Sequence, residues 1–163
     1  GRGMATDRKK IIAEFGDPRA DEKAFVKKWM VVFNIGNHFP SLPFKKVYVN
    51  SVLIPPIIET FKLLSTRGLL GEIKKYDGCF LVRCIRGYEN PCVPSIHSWG
   101  LAIDFNASDN PLGLSREQCI KKGLKPFSEA FFQVWRETGW VVGYDFSRKD
   151  GMHFQWTKKW DTA

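Results

Sequence analysis

Two short stretches of this 163-residue chain hold most of its candidate chemistry. The first is Ser95-Ile96-His97-Ser98-Trp99-Gly100-Leu101-Ala102-Ile103-Asp104, with a histidine and an aspartate seven positions apart. Gly100 and Ala102 are small, so side chains at the two ends can converge on one point without obstruction. The second is Asp150-Gly151-Met152-His153-Phe154-Gln155. His97, Asp104 and His153 supply two imidazoles and a carboxylate, a set suited to one catalytic zinc ion that keeps a position open for water. Such a set leaves the ion residual positive charge, and the pKa of the bound water falls to roughly 7. Asp150, three residues before His153 and beside Gly151, is placed to take that water's proton and pass it to a leaving amine. Singly, each residue also fits a structural use, a hydrogen-bonded core histidine or a strand-end aspartate. It is the combination that points to a metal.

These residues must be brought together by the elements around them. Phe25, Trp29, Val32 and Phe33 recur at helical spacing and predict an amphipathic helix over residues 20–34. Pro55-Pro56 suits the opening of a second helix with Ile57, Phe61 and Leu64 on one face and Gly68 at its end. Residues 79–85 and 101–105 read as strands, and Asn106-Ala107-Ser108-Asp109-Asn110-Pro111-Leu112-Gly113 as a loop. Ser115 and Gln118 form a capping box for a short helix. Phe127, Phe131, Val134 and Trp135 mark another helix, stopped by Gly139, before closing strands at 140–144 and 152–156. Helices lead and strands gather in the C-terminal half, which favours an α+β fold. Trp29, Phe33, Phe61, Phe131 and Trp135 read as core, and His38, in a Pro-flanked loop, as structural or surface.

The pattern Ser-x-His-x-x-Gly-x-Ala-x-Asp, followed downstream by Asp-x-Met-His-Phe, resembles the VanY-type zinc D-alanyl-D-alanine carboxypeptidases. Their relatives include the L-alanyl-D-glutamate endopeptidases that bacteriophages use as endolysins. The likeness extends over most of residues 47–156 and includes Tyr76-Asp77-Gly78-Cys79-Phe80-Leu81-Val82-Arg83-Cys84-Ile85-Arg86-Gly87 and the run from Asp104-Phe105-Asn106 to Asn110-Pro111. It implies zinc held by His97, Asp104 and His153, with Asp150 as the catalytic carboxylate. It implies a Hedgehog/DD-peptidase-like fold, a small antiparallel sheet carrying the zinc site with helices packed around it. It also singles out Arg83, on the strand before the first ligand, as the donor that binds the scissile carbonyl and its developing oxyanion. A fixed guanidinium aimed at that oxygen stabilises a tetrahedral intermediate. Arg86 competes for that role from the opposite face of a strand. Ser95 is a candidate for holding substrate or buttressing His97, and Trp99 for lining the cleft or packing in the core. Two departures from the family concern pocket shape and not the ligands. Val142-Gly143-Tyr144-Asp145-Phe146 stands where relatives carry Gly-Gly-x-Trp, and Gln155 stands where Glu is commoner.

Composition bounds the rest. Lys+Arg number 25 against 17 Asp+Glu, a formal charge of +8, and 44% of residues are hydrophobic. That excludes disordered and low-complexity classes. No apolar run reaches the roughly 18 residues of a membrane span. The basic charge attracts an anionic partner, nucleic acid or a polyanionic surface. Basic pairs are scattered along the chain instead of forming a stripe, and nucleic acid leaves the His/Asp pattern unexplained; the resemblance implies bacterial peptidoglycan as the partner. A catalytically silent zinc module for wall binding or virion structure is the alternative, and the presence of Asp150 argues against it. None of the four cysteines forms a Cys-x-x-Cys pair; free buried thiols are the default reading, with one disulfide within Cys79–Cys92 as the alternative. Gly1-Arg2-Gly3 before Met4 reads as a leftover of expression cloning. Residues 1–45 are expected to be an N-terminal helical extension and 46–163 the catalytic domain. The absence of a signal layout suggests a phage or prophage lysis enzyme, made in the host cytoplasm and acting at the cell wall.

Overall fold

Asp7 begins the first helix by accepting hydrogen bonds from the backbone N–H groups of Lys9 and Lys10. The computed structural model describes residues 5–162, so the expected cloning leftover and Met4 lie outside the described residues. Strand β1 (Ala5–Thr6) precedes helix α1 (Arg8–Phe15), which the sequence patterns did not reveal. Helix α2 spans Glu22–Trp29. The helix expected over 20–34 therefore stops early, and Met30–Phe33 form strand β2. The β-branched pair Val31-Val32 fits a pleated surface, and β2 finds an antiparallel partner in β3 (Val47–Asn50), with Met30 opposite Asn50. Tertiary pairing overrides a spacing that suited a helix.

Helix α3 (Ile54–Thr66) carries its prolines in the first turn and buries Ile57, Phe61 and Leu64. Of the strand expected over 79–85 only Cys84-Ile85 forms, as the start of a longer strand. Strand β4 (Tyr76–Gly78) pairs with the central sheet, residues 79–83 are irregular, and β5 (Cys84–Glu89) pairs with β6 (Cys92–Pro94) in a separate hairpin. That hairpin brings the Cα atoms of Cys84 and Cys92 to 5.4 Å and they form a disulfide. Free buried thiols hold for Cys79 and Cys119, and for this pair the alternative of one disulfide within Cys79–Cys92 replaces the default reading.

Strand β7 (Ala102–Phe105) follows, then α4 (Arg116–Lys121) with the Ser115/Gln118 capping box complete, and α5 (Glu129–Glu137). Of the stretch 140–144 only β8 (Val141–Val142) is strand, because a 3-10 turn over Gly143–Asp145 takes the remainder. Strands β9 (His153–Gln155) and β10 (Asp161–Thr162) close the chain, β10 pairing with β1.

The result is α+β. Its central sheet is antiparallel in the order β4-β7-β9-β8. Helices α3 and α5 back the sheet through aromatic contacts: Phe61 lies 5.9 Å from Phe105, and Trp135 stacks on Phe154 at 4.1 Å. The N-terminal segment contains strand as well as helix, and it enters the same core. The Trp99 indole N–H donates to Gly16 O at 2.9 Å, and Arg8 Nε donates to Pro94 O. Gly100 adopts φ +63°, and a Cβ there would meet Met30 Sδ at 2.6 Å, so β2 packs directly beneath the turn that carries His97.

Candidate metal centre

The two strands at the middle of the sheet set the first two side chains. Asp104 on β7 and His153 on β9 are directly opposed in the antiparallel register, which erases their distance in sequence. His97 comes from the 3-10 turn Ile96–Trp99, whose start is capped by Ser95 Oγ accepting the His97 N–H. Gly100 then reverses the chain into β7. Ligand atoms of His97, Asp104 and His153 all lie within 4.8 Å of one another.

The hydrogen bonds behind the imidazoles decide which nitrogens face inward. His97 Nδ1 lies 2.7 Å from the Cys79 carbonyl oxygen, which only accepts, so Nδ1 carries the proton and Nε2 presents its lone pair. His153 Nε2 lies 2.7 Å from Gln155 Oε1, whose own Nε2 donates to Thr157 Oγ1 at 2.8 Å. That chain leaves His153 Nδ1 facing the cluster. Asp104 Oδ1 sits 3.4 Å from His97 Nε2 and 3.2 Å from His153 Nδ1. It is nonetheless buried without a hydrogen-bond partner, as is Asp150 Oδ1. Three lone-pair atoms aimed at one another repel unless a cation sits among them. A buried polar atom left unpaired costs about 1–3 kcal/mol, and a cation held among these atoms would offset that cost.

Electrostatics gives the same picture. Burial alone would raise the Asp104 pKa, but the imidazoles of His153 and His97 hold it below the usual carboxylate range. Burial opposes charging of His153, yet Asp104 and then Asp150 lift its pKa to about 9. The donor set, two imidazole nitrogens and a carboxylate oxygen with supporting hydrogen bonds behind both rings, suits zinc.

Asp150 stands at the edge of this cluster, with Oδ2 4.0 Å from His153 Nδ1. Burial raises its pKa, and the nearby imidazole of His153 opposes the rise. Its backbone is held by the turn after β8, since Asp150 N donates to Gly143 O at 2.9 Å. A Cβ at position 143 would lie 2.4 Å from Asp150 O and 2.9 Å from His153 O, so only glycine lets the two segments approach.

Two cavities meet at the cluster. The larger, about 1010 Å³, has walls that include Arg83, Arg86, Tyr88, Ser95, Phe146 and Arg148. The smaller, about 270 Å³, runs past Asp77, Gly78, Cys79, Phe80 and Leu81. Arg83, His97 and Asp104 line both. Arg83 lies in the irregular segment before β5, not on a strand as expected, and its guanidinium donates to Cys84 O at 3.2 Å. Arg86 is exposed on β5 and borders only the larger cavity. Ser95 is buried at the cavity wall and supports the His97 turn. Trp99 does not line the cleft: it is fully buried and turned towards Gly16, because its indole is a large part of the core beneath the turn. His38 is exposed beside Phe33, as a surface residue.

Ser98 had not been singled out. Its hydroxyl accepts from Arg83 N at 3.2 Å and donates to Arg83 O at 3.0 Å, pinning the backbone of the arginine that borders both cavities. A small hydroxyl residue between two candidate ligands was the available signal. Asn106 is a second case. At φ +51° it accepts from the N–H groups of Lys74 and Lys75 and ties β4 to the end of β7.

The segment that carries the cluster matches a peptidase family. Residues 90–156 fit the family model described as D-alanyl-D-alanine carboxypeptidase, which supports the VanY-type resemblance. The matched span contains His97, Asp104, Asp150 and His153, while Arg83 and Arg86 precede it. No curated protein and no solved structure gave a significant match. The family match supports a carboxypeptidase-like peptidase of peptidoglycan. Among the described residues no helix is long and apolar enough to cross a membrane.

Proposed function

We propose that this chain is a zinc-dependent peptidase that hydrolyses an amide bond in bacterial peptidoglycan stem peptides. The observation that carries the reading is Asp104 Oδ1, buried without a partner between two imidazole nitrogens whose protons are engaged on their far sides. His97, Asp104 and His153 would hold one zinc ion, which when bound supplies a Lewis acid and an acidified water. The fold reading that goes with it is the Hedgehog/DD-peptidase-like sheet.

The chain's own residues perform the remaining work. Arg83, borne on a backbone that Ser98 pins, donates to the scissile carbonyl oxygen and to the negative charge that grows there. Asp150 accepts the proton of the attacking water. Its raised pKa favours holding that proton until the amine departs. Asp150 then protonates the leaving nitrogen, and the carboxylate is restored. Ser95 and Arg86 line the wall that receives substrate. We further propose that the protein is a phage or prophage lysis enzyme that works at the cell wall, where its +8 charge favours an anionic envelope.

The test is digestion of purified peptidoglycan, with soluble products identified by mass spectrometry. Peptide fragments or free D-Ala should appear, vanish on chelation and return with zinc. Unchanged hydrolysis by His153→Ala would contradict the reading.

A further inference from the structure

We infer that Arg136 is a positioning residue for the hydrolysis: by gripping Asp145 it fixes the segment that aims the Asp150 carboxylate. The inference rests on the peptidase reading above and adds to it a residue that lies outside the metal cluster.

The Asp150 carboxylate has little of its own to hold it. Among the described residues its side chain makes no hydrogen bond: Oδ1 is buried without a partner, and Oδ2 stands 4.0 Å from His153 Nδ1. A carboxylate in that state points where its backbone sends it, so the segment that delivers Asp150 decides its aim.

That segment leaves β8 and runs over residues 143–150. Its start is anchored in the core, where Tyr144 stacks on Phe132 at 4.6 Å and its hydroxyl accepts the Arg116 N–H at 2.8 Å. Its end is anchored by the backbone: Gly113 N donates to Lys149 O at 2.6 Å, and Asp150 N to Gly143 O at 2.9 Å. The middle is looser. Asp145, Ser147 and Arg148 are exposed, and across 145–148 the Asp145 carboxylate makes the only side-chain hydrogen bonds among the described residues.

Those bonds come from Arg136 on α5. Its Nε donates to Asp145 Oδ2 at 2.8 Å and its Nη2 to Oδ1 at 2.7 Å, a two-point grip that fixes direction as well as distance. The other edge of the guanidinium is braced by Glu129 at 2.7 Å and Gln133 at 3.2 Å, both on α5. An isolated surface ion pair would hold little, but a bidentate pair within a network does hold. Phe131, Phe132, Val134 and Trp135 of α5 are buried, and Trp135 stacks on Phe154, the neighbour of His153. The grip therefore ties Asp150 to the same helix that backs the strand carrying His153. Between the two lies Phe146, whose ring is 5.9 Å from that of His153.

The test is a double-mutant cycle of Arg136→Ala and Asp145→Ala in the zinc-loaded protein. The readouts are kcat and KM on soluble stem peptides, zinc affinity in a chelator competition, and amide exchange. Each single variant should lose at least about tenfold in kcat, with KM and zinc affinity unchanged and faster exchange at the Asp150 amide. The double variant should lose no more than the worse single one, because the two residues act as one unit. Arg136→Lys keeps the charge without the two-point grip and should stay impaired. Full kcat in either single variant, or losses that multiply in the double variant, would overturn the inference and leave the peptidase reading intact. Weakened zinc binding would also overturn it, since the pair would then support the ligands and not Asp150. Wild-type protein that binds zinc yet cleaves neither stem peptides nor whole peptidoglycan would overturn both. If Arg136→Ala does not fold, Asp145→Ala, at an exposed position, carries the same expectation alone.

Discussion

The paired strands β7 and β9 and the hairpin β5–β6 border the same cleft but are held in opposite ways. Strands β7 and β9 lie mid-sheet, backed by Phe105, Phe154 and Trp135, and nearly every side chain on them is buried. The hairpin is a two-stranded sheet with an interrupted register; positions 86–89 are exposed, and the Cys84–Cys92 disulfide joins its strands. Two strands without a packed face are marginal in water. The difference separates two jobs. On the proposed reading, the candidate metal ligands sit where the core imposes their geometry, whereas the proposed substrate wall sits on an element whose two strands a disulfide joins.

The largest effect expected on the sheet side is from Asp150→Asn. It should lower kcat by about 10²–10⁴-fold while zinc binding persists, and loss of zinc instead would make Asp150 part of the metal set. Next is Gln155→Leu, which removes the acceptor behind His153. Zinc affinity should fall by about 10–100-fold in a chelator competition, and unchanged affinity would show that the ring needs no support from behind. On the hairpin side, reduction or Cys84→Ser/Cys92→Ser removes a cross-link between positions eight apart, worth about 2–3 kcal/mol in the loop-entropy account. The expected readout is a raised KM and faster amide exchange in 84–94, with zinc affinity unaltered. A drop in zinc affinity would mean that the two regions are coupled.

The smallest effect concerns pH. His153 has its pKa raised by Asp104 to about 9 in the metal-free protein. The charged form is thus favoured in the folded state, and its contribution is fully present below the unfolded value of about 6.5 and lost as pH rises through about 9. Metal-free protein should melt at lower temperature at pH 9.5 than at pH 6.5, and the zinc-loaded protein should lack that decline, because metal replaces the proton. A flat metal-free profile would mean that His153 is neutral throughout.

The candidate site was legible because its residue types are rare and close: His97 and Asp104 flank a Gly/Ala spacer, and all four residues fall in two short motifs. Strand Ala102–Phe105, the proline-led α3 and the Ser115/Gln118 capping box follow from local rules and appear as read. What failed locally was decided by partners distant in sequence. Phe25, Trp29, Val32 and Phe33 satisfy a helical period, yet Met30–Phe33 pair with Val47–Asn50. The stretch 79–85 is apolar enough for a strand, but only Cys84-Ile85 are strand, paired in the hairpin, while residues 79–83 run irregularly from the central sheet to it. The Cys84–Cys92 link depends on that hairpin. Gln155 stood out only as a departure from relatives, and its part behind His153 needed the register of β9 to be seen.

The most direct test of the central claim is zinc titration of chelator-stripped protein, following metal content and peptidoglycan hydrolysis together. One equivalent of zinc should restore activity to the wild type and none to His153→Ala. Full hydrolysis by stripped wild-type protein, or by His153→Ala, would contradict it.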